Sequence, residues 1–185
     1  MDGFERTVSV NYIGHYLLTR KLIPAMVSGA RIVNMVSRTY TMGSLDMPDF
    51  FYRGRTGKFK RFRIYSNAKL AMLLFTIELS QELRDKGITA NAADPGIVST
   101  EMITMHKWYD PLTDFFFRPF IRTPKLGAAA AIRLLLDEKD AGVTGKLCVN
   151  NRIKTLRSKY MRHPQRKELW EVTGRLLTRW LNVEY

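Results

Sequence analysis

The chain has 185 residues, of which 45% are hydrophobic and 25% charged, a composition that excludes a low-complexity chain and suits one globular domain. Its formal net charge of +13 admits nucleic acid, an anionic membrane surface or a phosphorylated cofactor as a partner. The single cysteine, Cys148, excludes an internal disulfide and favours a reducing compartment, so we expect a cytoplasmic protein.

The first half of the sequence alternates helical and strand patterns. Residues 2–27 predict a long helix, with Asp2 as its N-cap and Glu5 three places on. Residues 31–36 form a β-branched run typical of a buried strand. The basic, turn-rich residues 38–63 predict a loop.

The second half continues the alternation. Residues 65–86 predict a helix that ends at Gly87, and its middle is apolar on nearly every side, which indicates cover on more than one face. The remaining predicted elements are strands at 88–93 and 145–150 and helices at 124–137 and 164–177. Strands separated by helices imply right-handed crossovers. We therefore predict an α/β fold of three layers, a Rossmann-type parallel sheet with helices on both faces, in a single domain over residues 1–185.

Tyr65 and Lys69 carry the first chemical signal. Side chains four residues apart on a helix project from the same face, so this spacing places an ammonium beside a phenol. A phenol with a pKa near 10 is a poor acid–base catalyst at neutral pH, and a neighbouring cation stabilises the phenolate. The spacing therefore suits a tyrosine proton donor, although one such pair also arises readily by chance.

Two further segments end predicted strands with polar groups. Ser37 follows the strand at 31–36, and Asp94-Pro95-Gly96 follows the strand at 88–93. Reacting groups in open α/β sheets gather beyond the carboxyl ends of the strands, where a serine hydroxyl can hydrogen-bond a carbonyl oxygen. Each segment alone is equally compatible with a simple turn.

Together and in this order, the motifs resemble those of the short-chain dehydrogenase/reductase family, in particular its retinol-dehydrogenase-like and WW-domain-oxidoreductase-like branch. The likeness covers nearly the whole chain. The matching segments are Val10-Asn-Tyr-Ile-Gly-His-Tyr16 of the long first helix, Ile32-Val-Asn-Met-Val-Ser37, Tyr65-Ser-Asn-Ala-Lys69, Ile88-Thr-Ala-Asn-Ala-Ala-Asp-Pro-Gly96 and Leu169-Trp-Glu171.

The resemblance implies a role for each matched residue. Tyr65 would donate or accept the substrate proton, and Lys69 would hold the nicotinamide ribose and lower the pKa of Tyr65. Ser37 would polarise the substrate carbonyl, and Asn11 would support a water-linked proton relay. The implied cofactor is NADP or NAD, and the sequence shows no preference between them. The residues implied to contact it are Tyr65, Lys69, Pro95, Gly96, Ile97 and Thr100.

The sequence also departs from the family. It contains neither the Thr-Gly-x-x-x-Gly-x-Gly turn that seats the cofactor pyrophosphate nor the Asn-Asn-Ala-Gly segment expected before the first helix. We therefore expect an N-terminally truncated member, the carboxyl-terminal catalytic part of the fold. An interaction or anionic-surface-binding role for a catalytically inactive remnant is the alternative.

Two kinds of segment bear on partners. Residues 105–123 hold one tryptophan, one tyrosine and four phenylalanines and correspond to the family's substrate lid. This correspondence indicates an apolar alcohol or carbonyl substrate, and hydrophobic packing across the sheet ends explains the composition equally well. Residues 53–63 and 152–167 hold six and seven basic residues. We interpret them first as solvated surface, so peripheral membrane contact stays possible and nucleic acid is disfavoured. Pairing of the helices at 2–27 and 65–86 between subunits would give a homo-oligomer.

Overall fold

The computed structural model describes residues 3–47, 49–51, 60–96 and 123–182. A four-stranded sheet lies at the centre, and its strands are β1 Arg31–Met35, β2 Thr89–Asp94, β3 Lys146–Val149 and β4 Arg152–Thr155. The helices are the continuous helical run α1 over residues 6–25, α2 Lys60–Glu82, α3 Pro124–Leu136, α4 Ser158–Met161, α5 Arg166–Leu176 and α6 Thr178–Leu181. Short 3-10 turns occupy Arg38–Met42, Asp49–Phe51, Arg84–Lys86 and Glu138–Asp140.

The strands follow one another across the sheet in the order β1-β2-β3-β4. The first three are parallel, as predicted, and a fourth strand that was not predicted, β4, is antiparallel to β3, so the sheet is mixed. Asn150 and Asn151 have φ angles of 54° and 58° between these two strands. Asparagine tolerates this left-handed conformation, which a two-residue hairpin turn requires.

The sheet separates two helical layers because its side chains alternate between its faces. Asn34 points towards α2, where its amide donates to the Thr76 hydroxyl at 3.0 Å. Arg31 points to the opposite face and donates to the Asp137 carbonyl oxygen, just beyond the end of α3, at 2.7 Å. The predicted three-layer α/β arrangement is therefore confirmed.

Helix α1 differs from the regular helix predicted over 2–27. It begins at Arg6, and the Glu5 carboxylate caps it by accepting from the Val8 backbone N–H at 2.8 Å, whereas Asp2 lies outside the described residues. Its second segment, Ser9–Ile13, is a π-helix. π-Helical turns are rare and often mark functional sites, and this one contains Asn11, a predicted site residue.

Helix α2 forms the centre of the core. It begins at Lys60, inside the predicted loop, and every residue from Leu70 to Ser80 is buried. The Arg84–Lys86 turn follows it, and Gly87 closes the turn with a φ of 66°, a conformation that glycine adopts without the clash of a Cβ. This ending agrees with the predicted stop. None of the helices in the described ranges combines the length and apolar character needed to cross a bilayer.

Four aromatic rings join α1, α2 and α5. The Phe75 ring lies in the middle, stacked on Trp170 with centroids 5.7 Å apart and packed against Tyr16 at 4.9 Å and Tyr12 at 6.2 Å. The Tyr12 hydroxyl is paired with the Thr173 hydroxyl at 2.8 Å, so its polar end is satisfied in the core. These contacts attach α5 to the layer that carries α1 and α2.

A buried ion pair between α2 and α5 yields a stability prediction. Arg166 Nε lies 2.8 Å from Glu78 Oε2, with the side chains 11% and 7% exposed, although the alignment leaves Oε2 without a well-directed hydrogen bond in the described residues. We expect Arg166→Met to lower the free energy of unfolding by about 3–5 kcal/mol, because it leaves the carboxylate buried without its cation. Urea unfolding followed by circular dichroism measures this change.

The exposed Arg175–Glu171 pair supplies the control for this experiment. Its atoms are 4.0 Å apart and its side chains are 70% and 64% exposed. Solvent screens such a pair, so Arg175→Met should change the free energy of unfolding by no more than about 0.5 kcal/mol. Equal losses of unfolding free energy in the two variants would show that the buried Glu78–Arg166 pair contributes no more to stability than the exposed pair.

Candidate active site

The carboxyl ends of β1 and β2 lie side by side. Met35 is in register with Ala93, and one residue later the Val36 backbone N–H donates to the Ala93 carbonyl oxygen at 2.9 Å. Ser37 and Asp94 therefore leave the sheet next to each other. This is the edge at which open α/β sheets collect their reacting groups.

Ser37 and Tyr65, predicted from separate segments, come together at this edge. The Ser37 hydroxyl is a hydrogen-bond partner of the Tyr65 side chain and also accepts from the Thr39 backbone N–H at 3.5 Å. Burial raises the pKa of Tyr65, the Ser37 hydrogen bond lowers it, and the negative charge of Asp94 raises it. The net pKa is above the usual value of a tyrosine.

Lys69 lies one helical turn beyond Tyr65. Its Nζ is 5.5 Å from the centroid of the Tyr65 ring and donates to the Met35 carbonyl oxygen at 3.2 Å. The side chain is 9% exposed, and burial lowers its pKa. The expected lowering of the Tyr65 pKa by Lys69 is not found: burial, Ser37 and Asp94 are the causes that act on this pKa, and the Lys69 ammonium bonds the Met35 carbonyl oxygen.

Asn11 does not join this group through its side chain. It belongs to the π-helical segment, and its amide donates to the Thr7 carbonyl oxygen at 3.0 Å. Within the described part of the chain its amide makes no hydrogen bond to Tyr65 or Lys69. His15, one turn later, instead lies near Lys69, since burial and the Lys69 charge both lower the pKa of its imidazole. The four-residue spacing from Asn11 was the signal that could have indicated this residue.

The predicted cofactor contacts after β2 are described only in part. Gly96 has a φ of 76°, and its backbone N–H donates to Asp94 Oδ1 at 2.9 Å, which folds the Pro95-Gly96 turn back on the strand end. Ile97 and Thr100 lie outside the described residues. Pro95 and Gly96 thus border the Ser37–Tyr65 pair from the side of β2.

Asp94 is a charged group that the sequence analysis treated only as part of a turn. Ala92 packs in the core on the α2 side and Ala93 in the cluster with α3, so the alternation turns Asp94 towards α2 and Tyr65. Asp94 is 3% exposed. A buried carboxylate at this position opposes ionisation of the tyrosine.

A titration follows from this placement. Asp94→Asn keeps the acceptor for the Gly96 N–H but removes the negative charge, so we expect the pKa of Tyr65 to fall and its titration to shift to lower pH. The measurement is a carbon NMR titration of tyrosine-labelled protein, with Tyr65→Phe to assign the resonance. Asp85→Asn, an exposed change at the opposite end of the sheet, is the control. A Tyr65 titration that stays in place or moves upward would contradict the argument.

Comparisons with known proteins identify the family of the chain. Residues 1–151 match a family model described as enoyl-(acyl carrier protein) reductase. The chain belongs to the short-chain dehydrogenase/reductase family. Within that family it is retinol-dehydrogenase-like: it is 32% identical to retinol dehydrogenase 13 of Mus musculus over an alignment 185 residues long, which covers 95% of this chain and 54% of the relative. The chain spans about half the length of the curated relatives it matches.

Solved structures support the fold. A crystal structure of an uncharacterised protein from Mycobacterium paratuberculosis superimposes with a TM-score of 0.69 at 24% identity, covering 96% of this chain and 60% of the other. The angucycline C-6 ketoreductase LanV, solved with bound NADP, gives a TM-score of 0.58 at 17% identity over 77% of this chain and 50% of the other. At these identities the likeness concerns the backbone arrangement.

Proposed function

We propose that the chain is the catalytic part of an NAD(P)-dependent oxidoreductase that interconverts an alcohol and an aldehyde or ketone. The observation that carries this proposal is the Ser37–Tyr65 hydrogen bond at the end of a parallel sheet, with Lys69 one turn away. A bound NADH or NADPH would supply the hydride. The chain's own residues would act on the substrate oxygen, where charge develops during the transfer.

In this proposal the proton moves between Tyr65 and the substrate oxygen. Ser37 donates a second hydrogen bond to that oxygen and so stabilises its developing negative charge. The raised pKa of Tyr65 favours its protonated form, which suits proton donation in the reducing direction. Asn11 would hold a water of the relay that returns the proton from solvent.

The residues around Lys69 suit the ribose of the cofactor. An ammonium has three donors, and the hydrogen bond to Met35 uses one of them, so two can reach a diol. Pro95 and Gly96 would contact the nicotinamide, and Ile97 and Thr100 its amide and the nearby phosphate. Neither NAD nor NADP is preferred by these residues.

An apolar substrate is the further part of the proposal. The relative named above is a retinol dehydrogenase, and residues 105–123 of this chain are rich in aromatic side chains. We also propose that the chain binds a second copy of itself and an anionic membrane surface, and that it is located in the cytoplasm. The proposed hydride transfer does not require either partner or this location.

Cofactor titration tests the proposed function. We expect calorimetry to detect saturable binding of NADH, NADPH or both. The Lys69→Met variant should bind the cofactor at least about tenfold more weakly, because the ribose loses a charged hydrogen-bond donor. Lys86→Met, an exposed lysine before β2, should bind as the unaltered chain does. The absence of saturable binding would instead favour the inactive remnant that acts through interactions.

A further inference from the structure

A pair of tyrosines, Tyr40 and Tyr160, lies close to the proposed catalytic serine, Ser37. The Tyr40 backbone N–H donates to the Ser37 carbonyl oxygen at 2.8 Å, which holds Tyr40 one turn beyond the proposed catalytic serine. The Tyr40 ring meets the Tyr160 ring edge-on, with centroids 5.2 Å apart and an interplanar angle of 77°. The turn after β1 is thereby joined to α4, and the joint is rigid because Tyr160 is buried.

Three cations, Arg38, Arg157 and Lys159, lie near this tyrosine pair. Lys159 Nζ lies 4.8 Å from the Tyr160 centroid, Arg157 is the N-cap residue of α4, and Arg38 lies two residues before Tyr40. Burial and the neighbouring Tyr160 and Asp94 raise the pKa of Tyr40, whereas Arg157 and Arg38 lower it, so both guanidinium groups act on the same phenol.

The positive charge of this group is largely uncompensated. Arg38, Arg157 and Lys159 are exposed. The ion pairs within the described ranges involve Arg133, Arg166 and Arg175, not these three residues. The basic segment over 152–167, from which two of the cations come, contains no aspartate or glutamate. The carboxylate of Asp94, which raises the pKa of both Tyr40 and Tyr65, is buried.

We propose that Arg38, Arg157 and Lys159 bind an anionic headgroup, a phosphate or a carboxylate, with the Tyr40–Tyr160 pair as the apolar floor beneath it. Guanidinium groups bind the oxygens of phosphate and carboxylate with two parallel hydrogen bonds, and an ammonium adds a point charge. Two arginines and a lysine around one aromatic pair can neutralise a dianion. Exposed side chains leave the approach from solvent open.

The ligand can come from two sources. In the first, the headgroup belongs to the substrate, so an apolar chain with an anionic end would present its alcohol or carbonyl to Ser37 and Tyr65; this interpretation rests on the proposed function. In the second, the headgroup belongs to a lipid of a membrane surface at which the site opens. Both sources use the same cation–phosphate chemistry.

Phosphate binding to the full chain tests the site. We expect inorganic phosphate, added at constant ionic strength, to produce saturable NMR shifts at the backbone amides of Tyr40 and Tyr160. The double variant Arg38→Gln/Arg157→Gln should weaken this binding at least about tenfold, because both bidentate donors are lost. Arg84→Gln/Lys86→Gln removes the same charge at the opposite end of the sheet and should change the affinity less than about twofold.

Vesicles distinguish the two sources. The site is assigned to a lipid headgroup if the chain sediments with phosphatidylcholine vesicles that contain phosphatidic acid. This sedimentation should be lost in the Arg38/Arg157 double variant and should not occur with pure phosphatidylcholine vesicles. Saturable phosphate binding without sedimentation assigns it to a soluble ligand. The proposal is overturned if neither probe binds, or if the Arg84/Lys86 variant loses as much binding as the cluster variant. No cofactor or turnover enters these measurements, so they succeed or fail independently of the proposed oxidoreductase.

Discussion

Replacing Tyr65 with phenylalanine is expected to reduce turnover by about 10²–10⁴-fold, the range by which a positioned general acid contributes. The phenylalanine ring keeps the contact with Lys69 but has no hydroxyl to share a proton with the substrate oxygen. Ser37 would then be left as the one polar group of the pair. The measurement is reduction of retinal by NADH and NADPH, compared between the unaltered chain and the variant.

The matched control is Tyr16→Phe, which also removes one tyrosine hydroxyl. The Tyr16 hydroxyl donates to the Trp170 carbonyl oxygen at 3.2 Å in the core, so its loss should cost stability and leave turnover close to that of the unaltered chain. Cofactor affinity, measured in parallel, should be the same in Tyr65→Phe and the unaltered chain. If Tyr65→Phe retains more than about a tenth of the turnover, Tyr65 is not the proton donor.

Truncation of Phe75 to alanine is expected to lower the free energy of unfolding by about 3–5 kcal/mol, the usual cost of removing a large aromatic side chain from a core. Phe75 is 2% exposed, and its ring contacts Tyr12, Tyr16 and Trp170. The cavity would lie where α1, α2 and α5 meet, and rigid helices can close it only in part. Urea unfolding with two probes, fluorescence and circular dichroism, measures the loss.

Phe62→Ala makes the same chemical change near the start of α2, where the side chain is 57% exposed. Little apolar surface is uncovered there on unfolding, so the free energy should change by no more than about 0.5 kcal/mol. Similar losses in the two variants would contradict the view that α2 is stabilised mainly by the aromatic contacts at its centre.

The sequence by itself determined the alternation of strands and helices and the order of the motifs. β1 and β2 were predictable because short β-branched or small apolar runs end at turn signals. α2 was predictable because its apolar residues continue far beyond the length of a strand. Ser37, Tyr65 and Lys69 could be selected as candidates because a phenol, an ammonium and an alcohol follow strand ends or share a helix face.

β4 shows where the local reading failed. Arg152–Thr155 was interpreted as part of a basic surface segment, because three of its four residues are polar and exposed. It is a strand through its ladder with β3, in which Cys148 is opposite Ile153. The two asparagines before it were the available signal for a hairpin.

Only the tertiary structure decided which charges act on the tyrosine. The spacing of Tyr65 and Lys69 predicts that they share a helix face, but the Lys69 ammonium also bonds the Met35 carbonyl oxygen, which comes from another part of the chain. The direction of Asp94 likewise depends on the register of β2 against β1. A pKa depends on burial and on charges in three dimensions. Burial and Asp94, which is distant in sequence, therefore raise the pKa of Tyr65, whereas the local spacing to Lys69 predicted a decrease.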